Sequence, residues 1–203
     1  MPSGRKLKLK ARAERQGQTR QRIIDAAVGL HTTIGPARTT VSAVAERAGV
    51  QRQTVYAHFP DEQSLMEACS AHVRATVPPP DVAPLRKIRD PKERLDTALA
   101  ALYPYFRRTA GGWSAVLRDA EVDPLVRQLA GERRLGYLAE LRDVLVTGWP
   151  VRGARRQLLL AALGLAVDFR TWESLCLKQG LDDRAALELI TDAVTSIAGA
   201  PGR

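Results

Sequence analysis

Within the stretch TTVSAVAERAGVQRQTVYAHF, residues 39–59, small and apolar residues recur at the spacing that a close crossing of two helices demands. A second helix can approach a first only where the first offers a small side chain, here Ala45. Four residues later Gly49 permits a turn with positive φ. Val44, Ala48, Val50 and Val55 supply the apolar inner faces. This is the pattern of a helix-turn-helix, although an ordinary corner between two helices satisfies the same spacing. The polar residues favour the former. Gln51, Arg52, Gln53, Thr54, Tyr56 and His58 surround a single apolar Val55. Arg bridges guanine O6 and N7, and Gln pairs with adenine N6 and N7. Thr, Tyr and His suit phosphate oxygens.

The rest of the 203-residue chain reads as all-α, with about nine helices and no internal repeat. Ala, Leu, Arg and Glu dominate, and strand alternation is absent. A first helix is expected over residues 19–33, stopped by Gly35-Pro36. A second runs from Thr39 or Thr40 as N-cap to Ala48, and a third over 51–58. Asp61 is a natural N-cap for a fourth, carrying Leu65, Cys69 and Val73. Val77-Pro78-Pro79-Pro80 ends that helix and marks the main boundary. A helix after Pro91 carries Leu95, Leu99, Leu102 and Phe106 and is expected to close at Gly111-Gly112. A short one over 113–120 and a long one after Pro124 follow. Two more are expected over 154–178 and 183–198, separated at Gly180. The domain expectation is a basic flexible arm over 1–17, a helix-turn-helix domain with its linking fourth helix over 18–77, and a second domain over 78–203.

The formal charge of +9 is concentrated. Residues 1–22 hold eight Lys or Arg, Arg12, Arg15 and Arg20 among them, against one acid, Glu14. Such an arm suits nucleic acid or an acidic membrane surface, or is a solvated tail. No apolar segment follows the early basic residues as in a secretory signal. The apolar run over 158–167 is too short to span a bilayer. Cys69 and Cys176 show no paired spacing and read as packing residues of a cytoplasmic protein. The three histidines, His31, His58 and His72, form no metal motif, and no catalytic constellation or phosphate-binding glycine loop is present, so neither metal, cofactor nor enzymatic activity is expected.

The stretch TTVSAVAERAGVQRQTVYAHFPDEQSLMEAC resembles the DNA-binding domain of the tetracycline-repressor (TetR) family of transcriptional regulators. The resemblance rests on Thr39-Thr40, Ala45, Ala48-Gly49-Val50, the segment Gln51-Arg52-Gln53, Val55, Tyr56 and His58-Phe59, and covers about residues 19–72. It implies that Gln51, Arg52 and Gln53 reach base edges. Thr39, Thr40, Thr54, Tyr56, His58, Arg15 and Arg20 then hold phosphates. A lysine common in the family after the third helix is Glu62 here, which removes one phosphate contact that the basic arm can offset.

The second half offers two binding features. The run over 158–167 is apolar on almost every side, and Ala186, Leu189, Ile190, Ala193 and Ile197 form a second stripe. In the family such helices make a four-helix homodimer interface, here Leu158, Ala162, Leu165, Leu189, Ile190, Ala193 and Ile197. That symmetry suits a palindromic double-stranded operator. Tyr103, Phe106, Trp113, Tyr137, Phe169 and Trp172, with Leu99, Leu117 and Leu141, are core filler or the lining of a ligand cavity; the resemblance favours a cavity. The implied function is a homodimeric repressor released from DNA by a small apolar or aromatic effector. An activator, or a ligand-independent DNA-organising protein, is the alternative.

Overall fold

The computed structural model describes residues 4–199, which are helical or connecting, with no strand among them. The α-helices are α1 (Gly4–Thr33), α2 (Val41–Ala48), α3 (Arg52–His58), α4 (Glu62–Thr76), α5 (Pro91–Asp119), α6 (Pro124–Leu145), α7 (Gly153–Ala166), α8 (Phe169–Trp172) and α9 (Asp183–Gly199). One 3-10 turn, Pro36–Arg38, joins α1 to α2, another spans Ala83–Lys87, and a π-helical turn, Glu173–Lys178, continues α8.

The described helices number nine, as expected, but two of them are not those expected. Gly111-Gly112 does not end a helix: α5 runs through both to Asp119. A glycine in a helix costs only about 1 kcal/mol relative to alanine. Trp113, immediately after the pair, stacks on Phe169 at 5.8 Å between ring centroids, which offsets such a cost. Conversely, the single helix expected over 154–178 is interrupted at Val167, beyond which Asp168 caps α8 by accepting from the Arg170 amide at 2.6 Å. A side-chain cap recruits the backbone away from continuous helix. The first helix also begins at Gly4, not near Thr19. The intervening Lys, Arg, Ala, Gln and Leu are good helix formers, and extending an existing helix requires no new nucleus.

The chain divides into two compact units. Met1–Pro78 and Ser114–Ala130 make the first, Pro79–Trp113 and Gly131–Arg203 the second. In the first, Ile23, Ile24 and Ala27 of α1 pack with Val44 and Ala45 of α2, Val55 of α3, Phe59, and Leu65 and Cys69 of α4. A smaller cluster joins Met66 of α4 to Val126 and Leu129 of α6.

In the second unit, Leu95, Leu99, Leu102, Tyr103 and Phe106 of α5 are buried, as are Leu141 and Leu145 of α6 and Leu159 and Leu163 of α7. A buried arginine, Arg94, organises the loops beside them. Its guanidinium donates to the carbonyls of Ile88, Arg89, Val144 and Thr147, two of them at 2.6 and 2.7 Å. The last two acceptors lie at the C-terminal end of α6, where orphan carbonyls and the helix dipole favour a cation.

Candidate nucleic-acid interface

The helix-turn-helix is built as its residue types require. Thr40 caps α2, its hydroxyl oxygen accepting from the Ala43 amide at 3.2 Å. Gly49 ends α2 in the left-handed conformation, φ 65°, and its amide donates back to the Ala45 and Glu46 carbonyls. Ala45 is buried at the crossing and Val50 is half-buried. In α3 only Val55 is buried, at 1% exposure. Asp61 caps α4 by accepting from the Ser64 amide at 2.7 Å.

The remaining surface of α3 is therefore open. Gln51, Arg52 and Gln53 are exposed, and among the described residues none of these three side chains has a hydrogen-bond partner. Tyr56 is exposed as well, at 47%. Thr54 and His58, one helical turn apart, face a groove of about 550 Å³ whose other wall is Arg12, Arg15, Gln16 and Thr19 of α1. The N-terminal part of α1 thus runs beside the third helix and places two arginines opposite its hydroxyl and imidazole groups. Arg20 lies one turn on, with its guanidinium 4.8 Å from the centre of the Phe59 ring. A cation held over an aromatic face keeps its charge and loses freedom of movement.

Thr39 and Thr40 are both placed by local bonds. Thr39 donates its hydroxyl to the Gly35 carbonyl at 2.8 Å. The Thr40 hydroxyl accepts in the cap and retains its own hydrogen to donate. Glu62, exposed in the first turn of α4, faces the favourable end of that helix dipole.

In the second unit, Phe106, Trp113, Phe169 and Trp172 converge. Phe106 meets Trp113, Phe169 and Trp172 edge-on or tilted at 6.1, 5.4 and 6.0 Å between ring centroids. Tyr103 is buried beside the end of α7, donating to the Ala166 carbonyl at 3.1 Å. Leu99 and Leu141 are buried too, and Tyr137 donates to the Pro80 carbonyl at 3.1 Å. Leu117 groups with the other unit.

Two polar residues beside the cluster gave no sequence signal. Arg107 holds Asp183 through two hydrogen bonds at 3.0 and 2.8 Å and lies over the Trp172 ring. Trp172 also donates its indole N–H to Asp183 at 2.9 Å. The Arg107 bonds, with help from the indole, hold the Asp183 carboxyl below the usual carboxylate range. In sequence Asp183 is only an acidic residue at the start of the last helix.

Leu158, Leu165 and Leu189 are exposed at 60%, 62% and 49%. They lie on α7 and α9, which pack together. Ala193 is exposed, and Ala162, Ile190 and Ile197 are half-buried. No described helix is long and apolar enough to cross a membrane.

An all-helical chain with a small-residue crossing, a left-handed glycine turn and an open polar third helix is a helix-turn-helix protein. Residues 23–69 match the model of the N-terminal domain of bacterial regulatory proteins of the tetR family. Most of the chain shares its fold with solved structures of transcriptional regulators. A TetR-like transcriptional regulator from Rhodococcus sp. RHA1 superposes with a TM-score of 0.65 at 19% identity, over 90% of this chain and 97% of that one. A transcriptional regulator from Aquifex aeolicus VF5 gives 0.58 at 19%, over 88% and 99%. A Saccharomonospora viridis protein in complex with choline gives 0.60 at 21%, over 88% and 96%. No curated protein matches this chain by sequence. Residues 23–69 thus match the TetR-family N-terminal domain, and the chain shares its fold with solved transcriptional regulators of the TetR-like kind.

Proposed function

We propose that the protein is a sequence-specific DNA-binding transcriptional regulator that acts as a homodimer on a palindromic operator. The observation that carries this reading is the exposed, unpartnered polar face of α3, Gln51-Arg52-Gln53, anchored behind by Val55. Arg52 and the two glutamines read base edges in the major groove. Thr39, Thr40, Thr54, Tyr56 and His58, with Arg15 and Arg20, hold the backbone on either side. The apolar side chains left open on α7 and α9 suit a second copy of the chain, and two copies give the two-fold symmetry of a palindrome.

In this reading the regulator is a cytoplasmic repressor. A small apolar or aromatic effector, bound at the cluster around Phe106 and Trp172, releases it by favouring a state whose reading helices no longer fit both half-sites. That one solved structure of this fold is a complex with choline supports the binding of a small-molecule effector. The close mutual packing of the four rings favours a second reading, a regulator that responds to no effector. Selection of bound duplexes from a random pool, repeated with metabolite fractions present, tests these together. Recovery of a palindromic consensus is expected, with one fraction abolishing its capture. Absence of any consensus overturns sequence-specific reading, and a consensus unaffected by every fraction favours the effector-independent form.

A further inference from the structure

The start of the helix-turn-helix is held by a carboxylate from the far end of α5. Asp119, the last residue of that helix, has a side chain only 5% exposed. One oxygen accepts from the Ala37 amide at 2.9 Å, and the other from Arg118 Nε at 2.8 Å. Arg118 reaches on to the Ile34 carbonyl at 2.9 Å, which also accepts from Arg38 Nε at 2.8 Å. Gly35, between these two grips, has φ 97°, and a Cβ there would run into the Asp119 carboxylate and the Arg118 guanidinium. The turn leads directly to Thr39, bonded to the Gly35 carbonyl, and to Thr40, the cap of α2.

A buried carboxylate is an expensive way to satisfy one amide at a half-buried turn, where water or a nearby hydroxyl would serve. What the carboxylate adds is a fixed position. The body of α2 is set by Val44 and Ala45 in the core, whereas the segment from Ile34 to Thr40 buries Gly35 and Pro36 but places no side chain in that core cluster. We propose that Asp119, oriented by Arg118, is a positioning residue for DNA binding: it fixes the turn before α2, which Thr39 braces through its bond to the Gly35 carbonyl, and so aims the Thr40 hydroxyl at the backbone of the bound duplex. The proposal rests on the DNA-binding reading given above. It lets the last turn of α5 act on Thr40 through the backbone of the turn at Ile34 and Ala37.

The test uses the full chain, a duplex recovered by the selection above and a scrambled duplex of equal length. Asp119→Ala removes both grips, whereas Asp119→Asn keeps an oxygen for the Ala37 amide. Expected are a roughly tenfold or greater loss of affinity of Asp119→Ala for the selected duplex, a smaller loss for the scrambled one, and for Asp119→Asn, which keeps the Ala37 bond but not the Arg118 bond, a loss smaller than that of Asp119→Ala. Amide exchange at Ala37 should accelerate in Asp119→Ala and stay slow in Asp119→Asn. Equal affinity of Asp119→Ala and wild type, an equal loss on both duplexes, or unchanged exchange at Ala37 overturns the proposal. If Asp119→Ala does not fold, Arg118→Gln decides: weakened binding to the selected duplex supports the positioning role and unchanged binding overturns it. A wild-type chain that binds no duplex overturns the DNA reading and the proposal with it, which is distinct from a wild type that binds beside a variant that binds equally well.

Discussion

Arg52 is the residue on which sequence preference should depend most. It is exposed at the first position of α3 and has no hydrogen bond or ion pair among the described residues. Replacing it with alanine should cost roughly 1–3 kcal/mol of specific binding and relax discrimination at one position of the site. Titration of Arg52→Ala against single-base variants of the selected duplex measures both. Gly49 shows what one residue can disclose alone: a glycine between two apolar-faced helices requires positive φ, and 65° is found. Gly35 has the same conformational need, but its second constraint comes from Arg118 and Asp119, and no local pattern records partners so far along the chain. The same limit hid Asp183, whose role depends on Arg107 and Trp172 meeting it across the fold.

At the scale of elements, α1 joins charge to geometry. Its N-terminal part brings Arg12 and Arg15 to the groove faced by Thr54 and His58. Deleting residues 1–15 should therefore flatten the salt dependence of DNA binding, because each released phosphate contact removes about 0.9 from the logarithmic slope. Affinity measured across a salt series checks this, and an unchanged slope would make the arm a bystander. The caps that sequence revealed, Thr40 and Asp61, are local matters of a side chain and an amide three residues away. Of the helix boundaries it misplaced, one is decided by a tertiary contact and one by a local cap masked by apolar surroundings. Gly111-Gly112 is carried through by the packing of Trp113, and the break after Ala166 depends on a cap by Asp168 within an otherwise apolar stretch.

For the whole molecule, two quantities follow. Burial pushes the His31 imidazole down to about 4 from 6.5, against the opposing pull of the Asp119 carboxylate. Between those values the unfolded chain binds more protons than the folded one, so stability falls as pH drops from about 6.5 towards 4. Thermal unfolding over that range should show a decline in Tm that is shallower in His31→Gln. Leu165, exposed at 62% in the last turn of α7, offers a test of assembly. Leu165→Glu should convert a dimer to a monomer in sedimentation at micromolar concentration and weaken binding to a palindrome far more than to a single half-site. A wild type that sediments as a monomer would remove the premise.

The division of labour within α3 bears on how such a protein changes over time. Val55 secures the helix, and Gln51, Arg52 and Gln53, proposed above to read DNA, are exposed and take no part in the buried core. Substitutions at Gln51, Arg52 and Gln53 are thus nearly invisible to folding. A lineage carrying this domain can exchange its target sites by drift at three positions while its scaffold stays unaltered.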